Sequence, residues 1–505
     1  MKNLFPVLMA SVVVVALAAC GQQPAAEQEA APEMAAEATE VVMVVPMTTS
    51  SDVAREHFLD GLAASDMGRG EDAREHFQLA VEADPDFALA HWGMAINAPS
   101  LEGFTNNLQK ANELAEGASD AEKLLIVSLQ KGFENDLEGQ LELSEQLVEM
   151  LPDSPRARLT LAFAQANLGR YEDQRATAMK AIELAPEFVP AYAQLGNSYV
   201  FNEPRDFTKA EEYMRKVVEL APDEQNSYDL LGDVYRAQGN LAEARDSYTR
   251  AAELDPTNGS PLQQRGHVNS FLGNWEEARA DYDAAMDLSD PDTRAGFGTW
   301  RAYVSIYEGN PEAAVAELND LAATVDQMDI PAPRSVKINA LGDVAAIAAH
   351  TGMFDVAESA LERRRTLAME QAEEVGTEEF RRNQEAAVAY FDGMLAARKG
   401  EFGNAVAKAE EYMAIVEPNA NPRKNESAHE VMALAALLQD DYEGAVEHYL
   451  QTDPSDVYAK YHLALAYKGA GEDEKAQELL KEVADYNFNA VGYALVREQA
   501  VQKIK

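Results

Sequence analysis

The chain has 505 residues, a length that fits several globular domains or one long solenoid. Its 42 basic and 87 acidic residues give a net charge of −45, which repels phosphate and argues against DNA or RNA as a partner. The acidity is compatible with a solvated surface adapted to salt, or with a basic partner or bound cations.

Residues 1–19 form an apolar segment that follows one basic residue, Lys2. The run Leu4–Leu17 is too short for a transmembrane helix. Ala18, Ala19 and Cys20 follow directly, and this pattern resembles a bacterial lipoprotein signal. The resemblance implies that the signal is cleaved and that Cys20 becomes a lipidated first residue. The alternative is an ordinary cleaved signal with an incidental cysteine.

Two further features bear on the anchor. Cys20 is the only cysteine, so the chain forms no intrachain disulfide. Gly21 follows it, where the inner-membrane retention signal of such lipoproteins has aspartate. The resemblance therefore implies a lipid anchor in the cell envelope, at the outer membrane and facing the periplasm.

Residues 20–50 are rich in Ala, Glu, Gln and Pro and contain no basic residue. Their glutamates repel one another, and this composition is typical of disorder. We predict that they form an acidic tether between the lipidated cysteine and the folded part, although the Val41–Val45 run could pack on the first helix.

A helical repeat occupies Gln225–Asn258. Apolar and small residues recur there at the spacing of one buried helical face, a Gly-Asn turn follows, and a second helical pattern ends at proline. This unit resembles the tetratricopeptide repeat (TPR) family, whose eight signature places are filled by Tyr228, Leu231, Gly232, Tyr235, Ala244, Tyr248, Ala251 and Pro256. The resemblance implies antiparallel helix pairs that stack on their neighbours.

The repeats continue on both sides of this unit. Successive units end at positions 152, 186, 222, 256 and 290, which are 34, 36, 34 and 34 residues apart. We therefore predict a regular TPR array over residues 51–290. The fold class predicted for the chain is all-α, a TPR-type solenoid of about twelve repeats.

Residues 291–505 read as degenerate repeats. Turn residues followed five positions later by alanine persist, at Gly309, Gly352, Gly400, Asp440 and Gly471. Their irregular spacing, with proline-marked loops at 323–334 and 417–424, indicates a bend or subdomain break near residues 291–335. Residues 489–505 are expected to form a polar-faced helix that caps the solenoid.

Catalytic motifs are not visible in the sequence. It has no phosphate-binding glycine loop, no Gly-x-Ser-x-Gly elbow and no His-Glu-x-x-His motif. The eight histidines are scattered without metal-ligand spacing. We predict no enzyme activity, no metal and no cofactor. Trp92 is expected to pack in the core, and a groove-facing role is the alternative.

The resemblance implies a concave groove lined by the first helix of each repeat, at positions 2, 5, 6 and 9. In the fifth repeat these positions are Pro190, Ala193, Gln194 and Asn197. The residues selected as partner-binding candidates are Asn197, Asn226, Asp229, Asp233, Gln263, Gln264 and His267. Amides and carboxylates hydrogen-bond a peptide backbone, and their acidic character favours neutral or basic segments. Alternatively, they are ordinary solvated residues.

The function that follows from the resemblance is that of a non-catalytic, lipid-anchored adaptor for protein or peptide partners in the envelope. Three alternatives stay open. The first is a helper that escorts a secreted or outer-membrane client. The second is an envelope enzyme in the irregular half, which requires convergent polar groups in a closed pocket. The third is a spacer without a partner.

We expect replacement of Cys20 by serine to release the protein from membranes, because serine cannot carry a thioether-linked lipid. Fractionation of cells that express wild-type protein or Cys20→Ser measures this directly. An unchanged membrane-bound fraction in the serine variant would rule out the lipoprotein interpretation.

Overall fold

The structure is a computed structural model that describes residues 45–504 except 329, 331, 420 and 422, and it leaves the side chain of residue 292 undescribed. The predicted signal at 1–19, Cys20 and the tether up to residue 44 lie outside the described residues. Within the described ranges, no helix is long and apolar enough to cross a membrane.

The chain divides into two compact units, Met1–Pro261 and Leu262–Lys505. Over its described residues, the first unit contains six helical hairpins. Their helices are α1 (Asp52–Asp66), α2 (Gly70–Ala83), α3 (Ala88–Ile96), α4 (Leu101–Leu114), α5 (Asp120–Phe133), α6 (Leu137–Met150), α7 (Pro155–Asn167), α8 (Tyr171–Leu184), α9 (Val189–Phe201), α10 (Phe207–Leu220), α11 (Gln225–Gln238) and α12 (Leu241–Leu254).

The second unit begins within α13 and has six more hairpins and a final helix. Its helices are α13 (Ser260–Leu272), α14 (Trp275–Asp287), α15 (Pro291–Tyr307), α16 (Pro311–Thr324), α17 (Pro333–Thr351), α18 (Phe354–Val375), α19 (Glu378–Arg398), α20 (Phe402–Val416), α21 (Glu426–Leu437), α22 (Tyr442–Tyr449), α23 (Val457–Gly469), α24 (Asp473–Ala484) and α25 (Val491–Ile504). No strand occurs in the described part of the chain, and the predicted all-α fold of about twelve repeats is confirmed.

The turn of each hairpin follows from local sequence. All five turn residues that the sequence analysis marked after residue 290 adopt a positive φ, from 62° at Asp440 to 83° at Gly309 and Gly352. The alanine five positions after each of them is at most 1% exposed. Because glycine enters the left-handed region without steric cost, the chain reverses there. The small alanine then lets the second helix approach the first.

Gly232 shows how tightly the helices of a hairpin pack. A Cβ atom added at this position would lie 2.6 Å from Cε1 of Tyr248, and the Tyr248 side chain is fully buried. The aromatic ring on α12 therefore fills the space that the missing side chain leaves on α11. This contact explains why the repeat pairs glycine in its first helix with an aromatic residue in its second.

The segment before α1 is packed on the first unit from Val45 onwards. Val45 is 2% exposed. The Thr48 amide donates to Glu122 Oε1 at 2.9 Å, and the Thr49 hydroxyl donates to Asp84 Oδ2 at 2.5 Å. Residues 45–50, which the sequence analysis assigned to the tether, thus bind to the folded array, so its last six residues are not free chain.

The division between the units differs from the predicted boundary at residue 290. Helices α14 and α15, on either side of that residue, pack on each other within the second unit. Their shared core contains Tyr282 and Val304, with Trp275 and Trp300 against them. The irregular sequence spacing after 290 reflects longer helices and loops, and it does not mark an interruption in the packing.

The final helix does more than cap the array. Helix α25 packs on α15, α17, α23 and α24, and it buries Tyr493, Leu495 and Val496. Since α15, α17 and α23 are all first helices of their hairpins, α25 covers the side of the second unit that these helices form. The polar face predicted for this helix therefore occupies only the side of α25 that does not pack on these four helices.

We expect Gly232→Ala to destabilise the protein. The methyl group would overlap the Tyr248 ring, and overpacking costs about 1–3 kcal/mol, which equals or exceeds the ~1 kcal/mol that alanine gains in helix propensity. Gly296→Ala is the matched control, because a Cβ there meets no atom within 4 Å. The control should stabilise its helix by about 0.5–1 kcal/mol. Denaturant unfolding monitored by circular dichroism measures both changes, and equal effects would contradict the packing argument.

Candidate functional site

The inner face of the first unit is the surface formed by the first helices of its hairpins. Contacts between first helices follow one another along the unit, from α1 to α3, α3 to α5 and α5 to α7, and again from α9 to α11. These helices are therefore drawn together, which places their exposed sides on the inside of a curve. The predicted candidates Asn197, Asn226, Asp229 and Asp233 lie on this face, on α9 and α11.

The curve is tight enough that distant hairpins meet across the inner face. Asp66 at the end of α1 forms an ion pair with Arg156 on α7. Arg69 Nε, in the turn after α1, lies 3.4 Å from Glu224 Oε2. Gly68 in the same turn has a φ of 80°, and a Cβ there would approach Asn226 Nδ2 to 2.6 Å. Asn226 is thus a contact residue between the first and sixth hairpins.

Several buried polar atoms on the inner face have no hydrogen-bond partner among the described residues. Both amide atoms of Gln194 and one carboxylate oxygen of Asp229, Oδ1, belong to this group. Each of these two side chains is 7% exposed. Trp92 Nε1 on α3 and Arg156 Nε on α7 share the property. Because buried polar groups are normally hydrogen-bonded, these atoms require water or a ligand.

Asp229 has an unusual protonation equilibrium. Burial and the neighbouring charge of Asp233 together raise its pKa to about 8, against the opposing charge of Arg236. Between the ordinary aspartate pKa of 3.8 and a pH of about 8, the Asp229 carboxyl group therefore keeps a proton that an ordinary aspartate has lost. In that form it can donate one hydrogen bond as well as accept others.

Asp233 has an internal role. Its Oδ1 accepts hydrogen bonds from the Tyr248 hydroxyl at 2.7 Å and from Arg236 Nη2 at 2.9 Å. These bonds tie α11 to α12 and hold the carboxylate beside Asp229. Asn197 is half-buried on α9, one turn after Gln194. Gln194 occupies a groove position of the fifth repeat but is not among the predicted partner-binding residues.

The other three predicted residues, Gln263, Gln264 and His267, lie in the second unit. His267 is 4% exposed and contacts Gln263. Its Nδ1 lies 2.5 Å from the Tyr282 hydroxyl and 2.9 Å from Asn489 Nδ2. Gln264 is half-buried on the same helix. His267 is therefore held in an internal network that the segment before α25 completes.

A second buried polar cluster was missed by the sequence analysis. His350 on α17, Arg398 on α19 and Tyr458 and His462 on α23 converge in the second unit. His350 Nδ1 lies 2.9 Å from the Tyr458 hydroxyl, and Arg398 Nη2 lies 2.9 Å from His462 Nε2. Gln499 of α25 approaches His350 Nε2 at 3.4 Å. These residues are separated by up to 149 positions in the chain, so no local sequence motif could predict that they form a cluster.

The charges of this cluster are set by burial. Burial and the adjacent Arg398 guanidinium lower the pKa of His350 to about 3. Burial raises the pKa of nearby Glu430 to about 8, and its carboxylate accepts a 2.9 Å hydrogen bond from the Tyr390 hydroxyl. The polar groups of the cluster thus bond mainly to one another, which makes it a stabilising network in the core of the second unit.

A cavity of about 430 Å³ lies elsewhere in the second unit, between the start of α17 and the end of α18. Four of its charged side chains form two ion pairs, and Glu370 also lines it. Arg334 Nη1 lies 2.6 Å from Glu374 Oε2, and Lys337 pairs with Asp326. The convergent polar groups of the His350 cluster do not line this cavity.

Family models for the tetratricopeptide repeat match four segments of the chain, residues 155–188, 189–224, 226–258 and 458–487. The first three coincide with hairpins α7/α8, α9/α10 and α11/α12, and the fourth with α23/α24. These segments are tetratricopeptide repeats, which in general serve as non-catalytic scaffolds for protein–protein interaction. A comparison with curated proteins gave no match.

Solved structures similar to the chain include several repeat proteins. MamA (residues 41 to the end) from Desulfovibrio magneticus is 22% identical with a TM-score of 0.30, covering 34% of this chain and 95% of that one. The thermophilic TPR protein TTC0263 from Thermus thermophilus is 21% identical with a TM-score of 0.31, covering 35% and 96%. YrrB, described as a TPR protein with an unusual peptide-binding site, is 20% identical with a TM-score of 0.29, covering 36% and 91%.

We expect Asp229→Asn to flatten the dependence of stability on pH. The folded-state pKa of about 8 lies above the ordinary value of 3.8, so the folded state binds the proton more tightly. The contribution of Asp229 to stability is therefore complete below pH 4 and declines as the pH rises to 8. Asparagine lacks this decline, so the variant should gain stability relative to wild type across that range.

Unfolding free energies measured at several pH values between about 4 and 8 test this expectation. Asp223→Asn, which changes an exposed carboxylate of the same unit, is the matched control and should keep the wild-type profile. Parallel profiles for wild type and Asp229→Asn would show that the Asp229 carboxyl is not held protonated.

Proposed function

We propose that the protein is a non-catalytic, lipid-anchored adaptor of the bacterial cell envelope. In this proposal the inner face of the first unit binds an extended or helical segment of a partner protein. The anchor and the compartment rest on the sequence pattern of residues 1–20 and on Gly21. The binding role rests on the tetratricopeptide repeats and on the polar atoms of α9 and α11.

The observation that carries the binding role is the unmet hydrogen-bonding capacity of Gln194 and Asp229. The Gln194 side chain offers one acceptor and two donors, and a peptide group offers the complementary pair. Leaving a buried polar group without a partner costs about 1–3 kcal/mol. A bound segment whose backbone pairs with Gln194 supplies these hydrogen bonds directly, and this complementarity favours binding at that place.

Charge determines which segments fit best. The chain has a net charge of −45, so its overall field attracts positive charge and repels negative charge. A basic or neutral segment approaches such a chain more readily than an acidic one. Arg156 is already paired with Asp66, so its positive charge is largely compensated. The proposed partner segment is therefore neutral or basic, and in an extended conformation its backbone donors are free to bond with Gln194.

Site-specific photo-crosslinking in the full-length protein tests this proposal. A photoreactive residue at Asn197 should capture a partner from the envelope, because this half-buried position borders Gln194. The same residue at Met179, which is 41% exposed on the second helix α8, is the matched control. We expect a defined adduct at position 197 and little at position 179.

The Gln194→Leu change should reduce the adduct at position 197, since it removes a donor and an acceptor from the inner face. A loss of about 1–3 kcal/mol weakens binding by about 5-fold to 150-fold. The variant must keep the wild-type unfolding temperature for the comparison to hold. An equal adduct yield with and without Gln194, or capture only at Met179, would contradict the proposal.

A further inference from the structure

The first hairpin contains a repeated tetrapeptide. Arg-Glu-His-Phe occurs at residues 55–58 on α1 and again at residues 74–77 on α2. The two phenylalanines, Phe58 and Phe77, pack in the core with ring centroids 5.5 Å apart. Because each histidine directly precedes its phenylalanine, this packing also brings His57 and His76 together, with ring centroids 5.8 Å apart.

Asp60 joins the two histidines. It lies three residues after His57, on the same face of α1. Its Oδ2 is 3.8 Å from His76 Nδ1. One nitrogen from each imidazole and one oxygen from Asp60 all lie within 4.8 Å of one another. Two neighbouring helices thus present three potential metal ligands at one point.

The histidines also have unused bonding capacity. The Nδ1 atoms of His57 and His76 are buried, and neither has a hydrogen-bond partner among the residues that the structure describes. An imidazole nitrogen that is shielded from solvent and unpaired is available to coordinate an ion. This second observation, independent of the ligand spacing, points to a missing binding partner at the same place.

We propose that His57, Asp60 and His76 form a binding site for a divalent transition-metal ion of the zinc type. Two imidazoles and one carboxylate are a donor set that suits Zn²⁺. Ca²⁺ and Mg²⁺ prefer sites built from oxygen ligands alone. Three protein ligands leave one position of a tetrahedral ion for water.

The geometry requires only small adjustments. In a tetrahedral zinc site with bonds of about 2.0–2.1 Å, neighbouring ligand atoms are about 3.3 Å apart. The observed separations are at most 4.8 Å, so side-chain rotation has to close about 1.5 Å at most. The Asp60 side chain is 55% exposed, which gives it freedom to rotate and leaves the ion a path from solvent.

The surroundings favour a cation. Glu56 and Glu75 precede the two histidines and are exposed. Their charge offsets that of Arg55 and Arg74, which donate to the carbonyl oxygens of Thr49 and Asn97, while the net charge of −45 raises the concentration of cations around the chain. Asp60 itself forms no ion pair with Lys or Arg among the described residues, so no basic side chain competes with the ion for its carboxylate.

Metal binding would link α1 to α2 in the first hairpin. The stability of a repeat array depends on the interfaces between neighbouring repeats, and among the described residues the first hairpin has a following hairpin but no preceding one. The same hairpin supplies Asp66, Gly68 and Arg69 to the contacts across the inner face of the first unit. A bound ion therefore stabilises the hairpin that closes the curve of this unit.

The chain offers a matched control for the histidine pair. His429 on α21 and His448 on α22 also face each other across a hairpin, with Nδ1 atoms 3.1 Å apart and ring centroids 5.4 Å apart. No third ligand was found with them among the described residues, where His57, Asp60 and His76 form the one such group. Comparing the two histidine pairs therefore distinguishes a site with three metal ligands from a simple contact between two histidines.

The test uses full-length protein without a polyhistidine tag, stripped of metal with a chelator and titrated with Zn²⁺ and with Co²⁺. We expect one ion per chain, a Co²⁺ visible spectrum indicating tetrahedral coordination, and a higher unfolding temperature with the ion. His57→Gln and His76→Gln should each weaken binding by about 100-fold or more, since loss of a mere supporting group already costs about 10-fold to 100-fold.

Three controls make the result decisive. Glu56→Gln removes an adjacent charge and should leave the stoichiometry unchanged. The double variant His429→Gln/His448→Gln should also keep full metal binding. In the absence of metal, the His57→Gln and His76→Gln variants should unfold at the same temperature as the metal-free wild-type protein. Absence of stoichiometric binding to wild type would overturn the proposal. The proposal would also be overturned if the double variant His57→Gln/His76→Gln still bound the metal and the double variant His429→Gln/His448→Gln did not.

Discussion

The architecture depends on the close approach of two short helices within each hairpin. Helices of about fourteen residues cannot bury an apolar face alone, so small residues bring them together and a large one fills the remaining gap. Gly232 against Tyr248 is the clearest case. Every hairpin then needs neighbours on both sides, and the two ends of the described helical array meet this need differently. Val45–Ser50 packs on the first unit, whereas α25 covers first helices of the second.

Curvature follows from the same constraint and creates a polar inner face. In the first unit, Gln194 and Asp229 are buried on this face with unmet hydrogen-bonding capacity. In the second unit, the corresponding polar residues find partners inside the unit. His267 bonds with Tyr282 and Asn489, and His350 bonds with Tyr458. The two units therefore differ in the number of buried polar atoms without a protein partner on this face. The first unit, which has such atoms in Gln194 and Asp229, is the better candidate for a binding role.

Local patterns allowed the fold to be predicted. A turn residue with positive φ followed five positions later by a buried alanine is a short-range signal, and it held even where the repeats were irregular. The contacts and protonation states of the candidate site could not be predicted from such short-range patterns. His267 meets Asn489 across 222 residues, and Asp229 owes its raised pKa to burial that only the assembled unit provides. The His57, Asp60 and His76 group was missed because its spacing becomes meaningful only when α1 and α2 pair.

The central claim is that a partner occupies the inner face of the first unit. Hydrogen–deuterium exchange of the full-length protein, free and bound to its captured partner, tests it most directly. Binding on the inner face predicts slower amide exchange in α7, α9 and α11, with little change in the second helices α8 and α10. Protection confined to α8 and α10, or to the second unit, would contradict the claim and place the binding surface elsewhere.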